Sequence, residues 1–126
     1  MGRIAITALD PKHKVGVQFR SMSVERVSSY LAVFDFVRMV KGDIRTTAAT
    51  LPHDRQFGFV HIDVDVYPIA KYCLEYFAPR VTAGAMIVVD DYGFRTTPGA
   101  KKAVDDFMAD NTACRMLHLL TGDEFD

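Results

Sequence analysis

Much that would direct a chain to a particular partner is missing from this sequence. Fifteen basic residues against sixteen acidic ones leave a formal net charge of −1. With no basic field, neither nucleic acid nor an anionic membrane surface is an expected partner. No apolar run reaches the roughly 18 residues that a bilayer span requires. The opening stretch Met1–Asp10 is too short and too polar at its flanks for a secretory signal, and Ile6 stands where the myristoylation pattern needs Ser or Thr. Cysteine is scarce: Cys73 and Cys114 are far apart, without metal-like spacing, and buried thiols are expected at both. Linkers, repeats and low-complexity segments are absent as well. These absences point to a cytoplasmic location.

What is present is the composition of an ordinary globular protein, 49% hydrophobic and 25% charged. At 126 residues the chain suits one domain, long enough for a core but short for a complete α/β enzyme. Residues 3–9 (RIAITAL) read as a short strand ending at Asp10-Pro11. Ser23 is a helix N-cap, and Glu25 or Arg26 opens a helix with Val27, Tyr30, Leu31 and Phe34 at helical spacing. Residues 36–41 (FVRMVK) alternate as a strand that Gly42-Asp43 closes, and residues 44–54 form a weak helix or loop. A strand follows at about 57–64. Tyr67-Pro68 starts a helix with Ala70, Leu74 and Phe77 inside, which Pro79 ends. Thr82-Ala83-Gly84 turns the chain into a strand at 85–90. Pro98-Gly99 precedes a helix to about Asp110 with Ala103, Val104, Phe107 and Met108 on its apolar side, and 114–120 (CRMLHLL) read as a last strand. Strands alternating with helices imply a parallel sheet with right-handed crossovers, an α/β fold.

The informative features are the acidic ends of two hydrophobic strands. One is Phe59-Val60-His61-Ile62-Asp63-Val64-Asp65; the other is Met86-Ile87-Val88-Val89-Asp90-Asp91. Ligands of open parallel sheets bind beyond the carboxyl ends of the strands. Asp63 and Asp65 are two apart and point to one side while the strand persists. Asp90 and Asp91 are adjacent where a strand ends, so a turn can bring both to the rim. The offset of 90 − 63 = 27 residues is one βαβ repeat, which makes the two strands sheet neighbours. Four carboxylates on one rim repel one another and resist desolvation. A divalent cation resolves the conflict, and oxygen donors at this density suit Mg2+, Mn2+ or Ca2+ rather than Zn2+. The competing role for each Asp is a turn former or helix cap. His61 can lie near such a site or serve as a hydrogen-bonded core histidine. Tyr67 and Tyr92 can wall the site or simply pack, and Lys101, Lys102, Asp105 and Asp106 read as a solvated helix face.

From Val37 to Asp110 the sequence resembles the macrocin O-methyltransferase (TylF-type) family, S-adenosylmethionine-dependent enzymes acting on sugar hydroxyls of antibiotics. The resemblance rests on VKGD at 40–43, on FVHIDVDVYPIAKYCLEYFAPRVTAGAMIVVDDYG at 59–93 and on PGAKKAVDDF at 98–107. It implies a Rossmann-like class I methyltransferase fold with a mostly parallel sheet. It further implies that Asp63, Asp90 and Asp91 hold Mg2+ and that Asp65 is the general base. Such a cation would bind vicinal sugar hydroxyls and lower the pKa of one, and the carboxylate would take its proton. Asp43 matches the place where such folds hold the adenine amino group, with a plain turn residue as the alternative. The strand before Asp10 corresponds to the one whose terminal acid grips the ribose. The implied partner is a small sugar-containing substrate.

The sequence also departs from the family. Gly84-Ala85 replaces the commoner Gly-Gly, no G-x-G turn is found, and the final hairpin is incomplete. The expectation is therefore a truncated form covering the back two-thirds of the domain, single over residues 1–126, in which tight cofactor binding is not expected. An exposed sheet edge adds homo-oligomerisation as an expectation. Other readings of D-x-D are a haloacid-dehalogenase-type phosphotransferase, a nucleotide-sugar glycosyltransferase, or a degenerate methyltransferase-like module without catalysis.

Overall fold

The computed structural model describes residues 23–119. Within them the order is α1 (Val24–Leu31), α2 (Ile44–Thr47), β1 (Phe57–Ile62), α3 (Tyr67–Phe77), β2 (Val81–Val89) and α4 (Pro98–Asp110), with single 3-10 turns at Ala48–Thr50 and Ala78–Arg80. The expected strand at 3–9, with Asp10 at its end, lies outside the described residues.

β1 and β2 pair in parallel, with Val60 opposite Ile87 and Ile62 opposite Val89. The connection through α3 makes this a βαβ unit, the elementary piece of a parallel α/β fold. Val60 and Ile62 point to one side, where they join Val66, Ile69, Ala70, Cys73, Leu74, Ala103 and Val104 in a buried cluster. Ala70 on α3 and Ala103 on α4 are fully buried; side chains this small let the helices pack closely over the sheet. Phe77 closes the lower end, edge-on to Phe57 with ring centroids 5.3 Å apart.

Local chemistry explains the boundaries. Ser23 caps α1, its hydroxyl accepting from Arg26 N at 3.1 Å. Pro68 and Pro98 occupy first turns of α3 and α4, where a missing N–H costs nothing. Pro79 converts the end of α3 into a 3-10 turn. Thr82, Ala83 and Gly84 belong to β2 itself rather than to a turn ahead of it. The pairing steps from Phe57–Val81 to Phe59–Met86, two residues on β1 against five on β2, so three extra residues bulge out. Gly84, at φ +79, supplies a conformation that a side chain would resist.

Four further sequence expectations are corrected. Residues 36–41 form no strand: 37–41 have no regular structure and are exposed. Residues 114–119 likewise form none, and Leu117 is 82% exposed. Alternation makes a segment suited to a sheet, but a strand exists only where a partner pairs with it, and neither segment pairs among the described residues. No residue of the apolar stripe of α1 is buried: Val27 and Leu31 are half-buried and Tyr30 is 85% exposed. Of the two thiols, Cys73 is buried, which pushes its pKa up to about 11, whereas Cys114 is exposed. Among the described residues no helix is long and apolar enough to cross a membrane.

Ile62 sits where sheet, α3 and the acidic rim meet. Ile62→Ala is expected to lower unfolding free energy by about 2–5 kcal/mol, measured by urea denaturation. A loss below about 1 kcal/mol would contradict its place in the core.

Candidate functional site

The backbone rules that end the two strands also build the site. β1 stops at Ile62, and residues 63–65 leave it without regular structure before α3 begins. Val64 turns inward against the core and Val66 is buried, so Asp63 and Asp65 project from the rim on either side of Val64. On the neighbouring strand the ladder extends one step, with Asp90 N donating to Ile62 O at 2.9 Å. The chain then reverses at Asp91, whose φ of +59 is the left-handed conformation that Asp tolerates better than most residues. The turn is held from both sides. Asp91 N donates to Asp90 Oδ1 at 3.0 Å, and the buried Thr97 hydroxyl donates to Asp91 O at 3.0 Å.

This turn brings Asp91 to the first loop. One carboxylate oxygen each from Asp63, Asp65 and Asp91 lies within 4.8 Å of the other two. Asp63 is exposed; Asp65 and Asp91 are half-buried. The cost of this crowding shows on Asp91, whose pKa is pushed up to about 6. Partial burial is the main cause, followed by its hydrogen bond with Asp65 and by the charges of Asp65, Asp90 and Asp63. Three hard oxygen donors that repel one another at this spacing fit a small divalent cation, which would stabilise the charged forms.

Asp90 lies outside that group. Its Oδ1 serves the turn, and its Oδ2 lies 3.8 Å from His61 Nε2. His61 is not a core histidine: its side chain is half-exposed on the sheet face opposite the core. Phe59 and Met86 share that face, 60% and 61% exposed. Asp43 caps α2 by accepting from Arg45 N at 2.9 Å, and its carboxylate also receives the Arg45 guanidinium. These bonds hold the Asp43 carboxyl below the usual carboxylate range. Beside it a cleft of about 360 Å³ is lined by Arg38, Val40, Gly42, Ile44, Thr47 and Leu51. Asp10 lies outside the described residues.

Sequence reasoning missed Thr97, for which no pattern gave a signal. It also missed what the tyrosines do. Tyr67 donates to Asp106 Oδ2 at 2.7 Å and Tyr92 to Asp105 Oδ1 at 2.7 Å. The signal was available: a tyrosine shortly after each acidic pair, and two carboxylates on α4 following two lysines at i,i+4 spacing.

The model of one protein family, described as a methyltransferase domain, matches residues 1–92, that is 92 of 126. The chain belongs to the methyltransferase-domain family. No curated protein and no solved structure matches it. The α/β architecture with parallel β1 and β2 is that of a Rossmann-like fold. The matched region includes all four acidic residues of the strand ends and stops one residue past Asp91; α4 lies beyond it.

The raised pKa of Asp91 has a definite sign for stability. The folded chain holds that proton more tightly than the unfolded chain between pH 3.8 and about 6. The stability it lends at low pH is therefore lost as pH rises through this window. Asp91→Asn keeps the left-handed turn while removing the charge. In chelator, the variant is expected to melt higher than the parent at pH 7.5, and the gap should close by pH 4. A variant that melts lower at pH 7.5 would contradict the electrostatic account.

Proposed function

We propose that this methyltransferase domain transfers a methyl group from S-adenosylmethionine to a hydroxyl of a sugar or glycosylated small molecule, with Mg2+ at the acidic rim. The single observation that carries the reading is the convergence of Asp63, Asp65 and Asp91 from two parallel strand ends in a chain of methyltransferase family. The resemblance of residues 37–110 to the macrocin type adds the sugar acceptor. The donor set favours Asp63, Asp65 and Asp91 as the cation's ligands, whereas the resemblance selects Asp63, Asp90 and Asp91. When bound, the cation would lower the pKa of an acceptor hydroxyl. With the ligand set that the resemblance selects, Asp65 is left as the base candidate: it lies on the rim, half-buried, and takes part in a carboxyl–carboxyl hydrogen bond with Asp91. His61 and Asp90, beside it on the open face, can receive hydroxyl groups of an acceptor. Asp43 and its cleft are the place proposed for the adenine end of the cofactor, and Asp10 for its ribose. Self-association of the chain belongs to the same proposal.

Calorimetry with S-adenosylmethionine, with and without Mg2+, tests the reading. Cofactor and cation should each give a saturable heat, and Asp63→Asn and Asp91→Asn should each abolish the cation's. Asp90→Asn decides between the two ligand sets: affinity within about threefold of the parent is expected, since Asp90 contributes no oxygen to the group. Loss of cation binding in Asp90→Asn would instead support the resemblance's set. Absence of both heats in the parent, or formation of an aspartyl phosphate, would contradict the function.

A further inference from the structure

Both tyrosines that follow the acidic strand ends are tied to the same helix by the same device. Tyr67 comes two residues after Asp65 and opens α3; its hydroxyl donates to Asp106, which also accepts from Lys102 Nζ at 2.7 Å. Tyr92 comes one residue after Asp91; its hydroxyl donates to Asp105, which also accepts from Lys101 Nζ at 2.7 Å. Each ammonium additionally stands over the ring of its own tyrosine, at 5.4 Å for Lys102 and 5.0 Å for Lys101. Two adjacent Tyr–Asp–Lys triads on one turn of α4 thus receive one residue from each acidic loop.

Simple ion pairs do not account for this arrangement. Half-exposed Lys–Asp pairs at i,i+4 contribute little on their own. The two tyrosine bonds differ in kind. They run to charged acceptors and join residues 39 and 13 positions apart in sequence. The same partners favour the charged form of those acceptors: Lys102, then Tyr67, hold the Asp106 carboxyl below its usual range, and at Asp105 partial burial opposes the shift but is outweighed by Lys101 and Tyr92.

We propose that Tyr67, Tyr92, Asp105 and Asp106 are positioning residues that set the spacing of the Asp63/Asp65 loop against the Asp91 turn by referring both to α4. The strand pairing fixes where each loop begins; the triads fix where each ends, two residues beyond Asp65 and one beyond Asp91. Asp91 is additionally held from behind by Thr97, so its turn is fixed on two sides while the carboxylate faces the rim. This inference rests on the cation reading above, and its test separates the two.

The test titrates Mn2+ into the full chain and reads free ion by electron paramagnetic resonance, with melting temperature recorded for each variant. Tyr67→Phe and Tyr92→Phe remove one hydroxyl apiece and keep the rings. Each is expected to weaken Mn2+ binding by about three- to tenfold, and the double variant by more than either. Tyr76→Phe is the control, since its hydroxyl donates to Ala48 O at 3.0 Å, away from the rim. It should lower the melting temperature while leaving Mn2+ affinity as in the parent. Parent-like affinity in both rim variants, with the parent itself binding, would overturn the positioning role and leave the cation reading intact. An equal loss in Tyr76→Phe would overturn it too, by showing a general effect of destabilisation. A parent chain that takes up no Mn2+ would overturn both.

Discussion

Backbone hydrogen bonding between β1 and β2 runs one step past the last paired residues, from Asp90 N to Ile62 O, and everything at the rim depends on that register. Because Ile62 lies opposite Val89, the two strands release their chains at the same level. Asp63 and Asp90 are therefore the first residues out on each side. A shift of one residue would send Val60 and Ile62 to the open face and His61 to the core. The register is held from below by the burial of Val60 and Ile62 against α3 and α4.

Above the strands the chain spends stability to crowd like charges. Asp91 sits in a left-handed turn, partly desolvated, facing Asp63 and Asp65 and within reach of the charge of Asp90. Such an arrangement makes the folded chain less stable at neutral pH than it would be with a neutral side chain there. Strained and electrostatically unfavourable positions of this kind cluster where a protein binds something. The proposed cation would convert the same repulsion into attraction, which would make cation binding and the pH behaviour of the free chain two aspects of one interaction.

Much of this was legible in the sequence, and unevenly so. Helices α1, α3 and α4 announced themselves through Ser23, Pro68 and Pro98, local signals that need no partner. The two acidic strand ends were legible because β-branched runs stop at Asp63 and Asp90, and the offset of 27 residues is recovered in the pairing of Ile62 with Val89. Residues 36–41 and 114–119 were not legible, since alternation says that a segment suits a sheet and not whether another strand lies beside it. Nor could spacing alone divide Asp65 from Asp90. That division follows from the backbone at Asp91, which turns Asp91 toward the first loop and leaves Asp90 to cap its own turn beside His61. The tyrosine ties to α4 escaped for a similar reason: partners 39 residues apart in sequence become neighbours only once the sheet and helices are assembled.

The most direct measurement of the central claim is a crystal structure of the chain grown with Mn2+, with anomalous scattering locating the ion. The account predicts a single strong peak at the rim within coordination distance of carboxylate oxygens from Asp63, Asp65 and Asp91, with Asp90 still facing His61. A rim without a peak, or an ion held elsewhere on the chain, would contradict it.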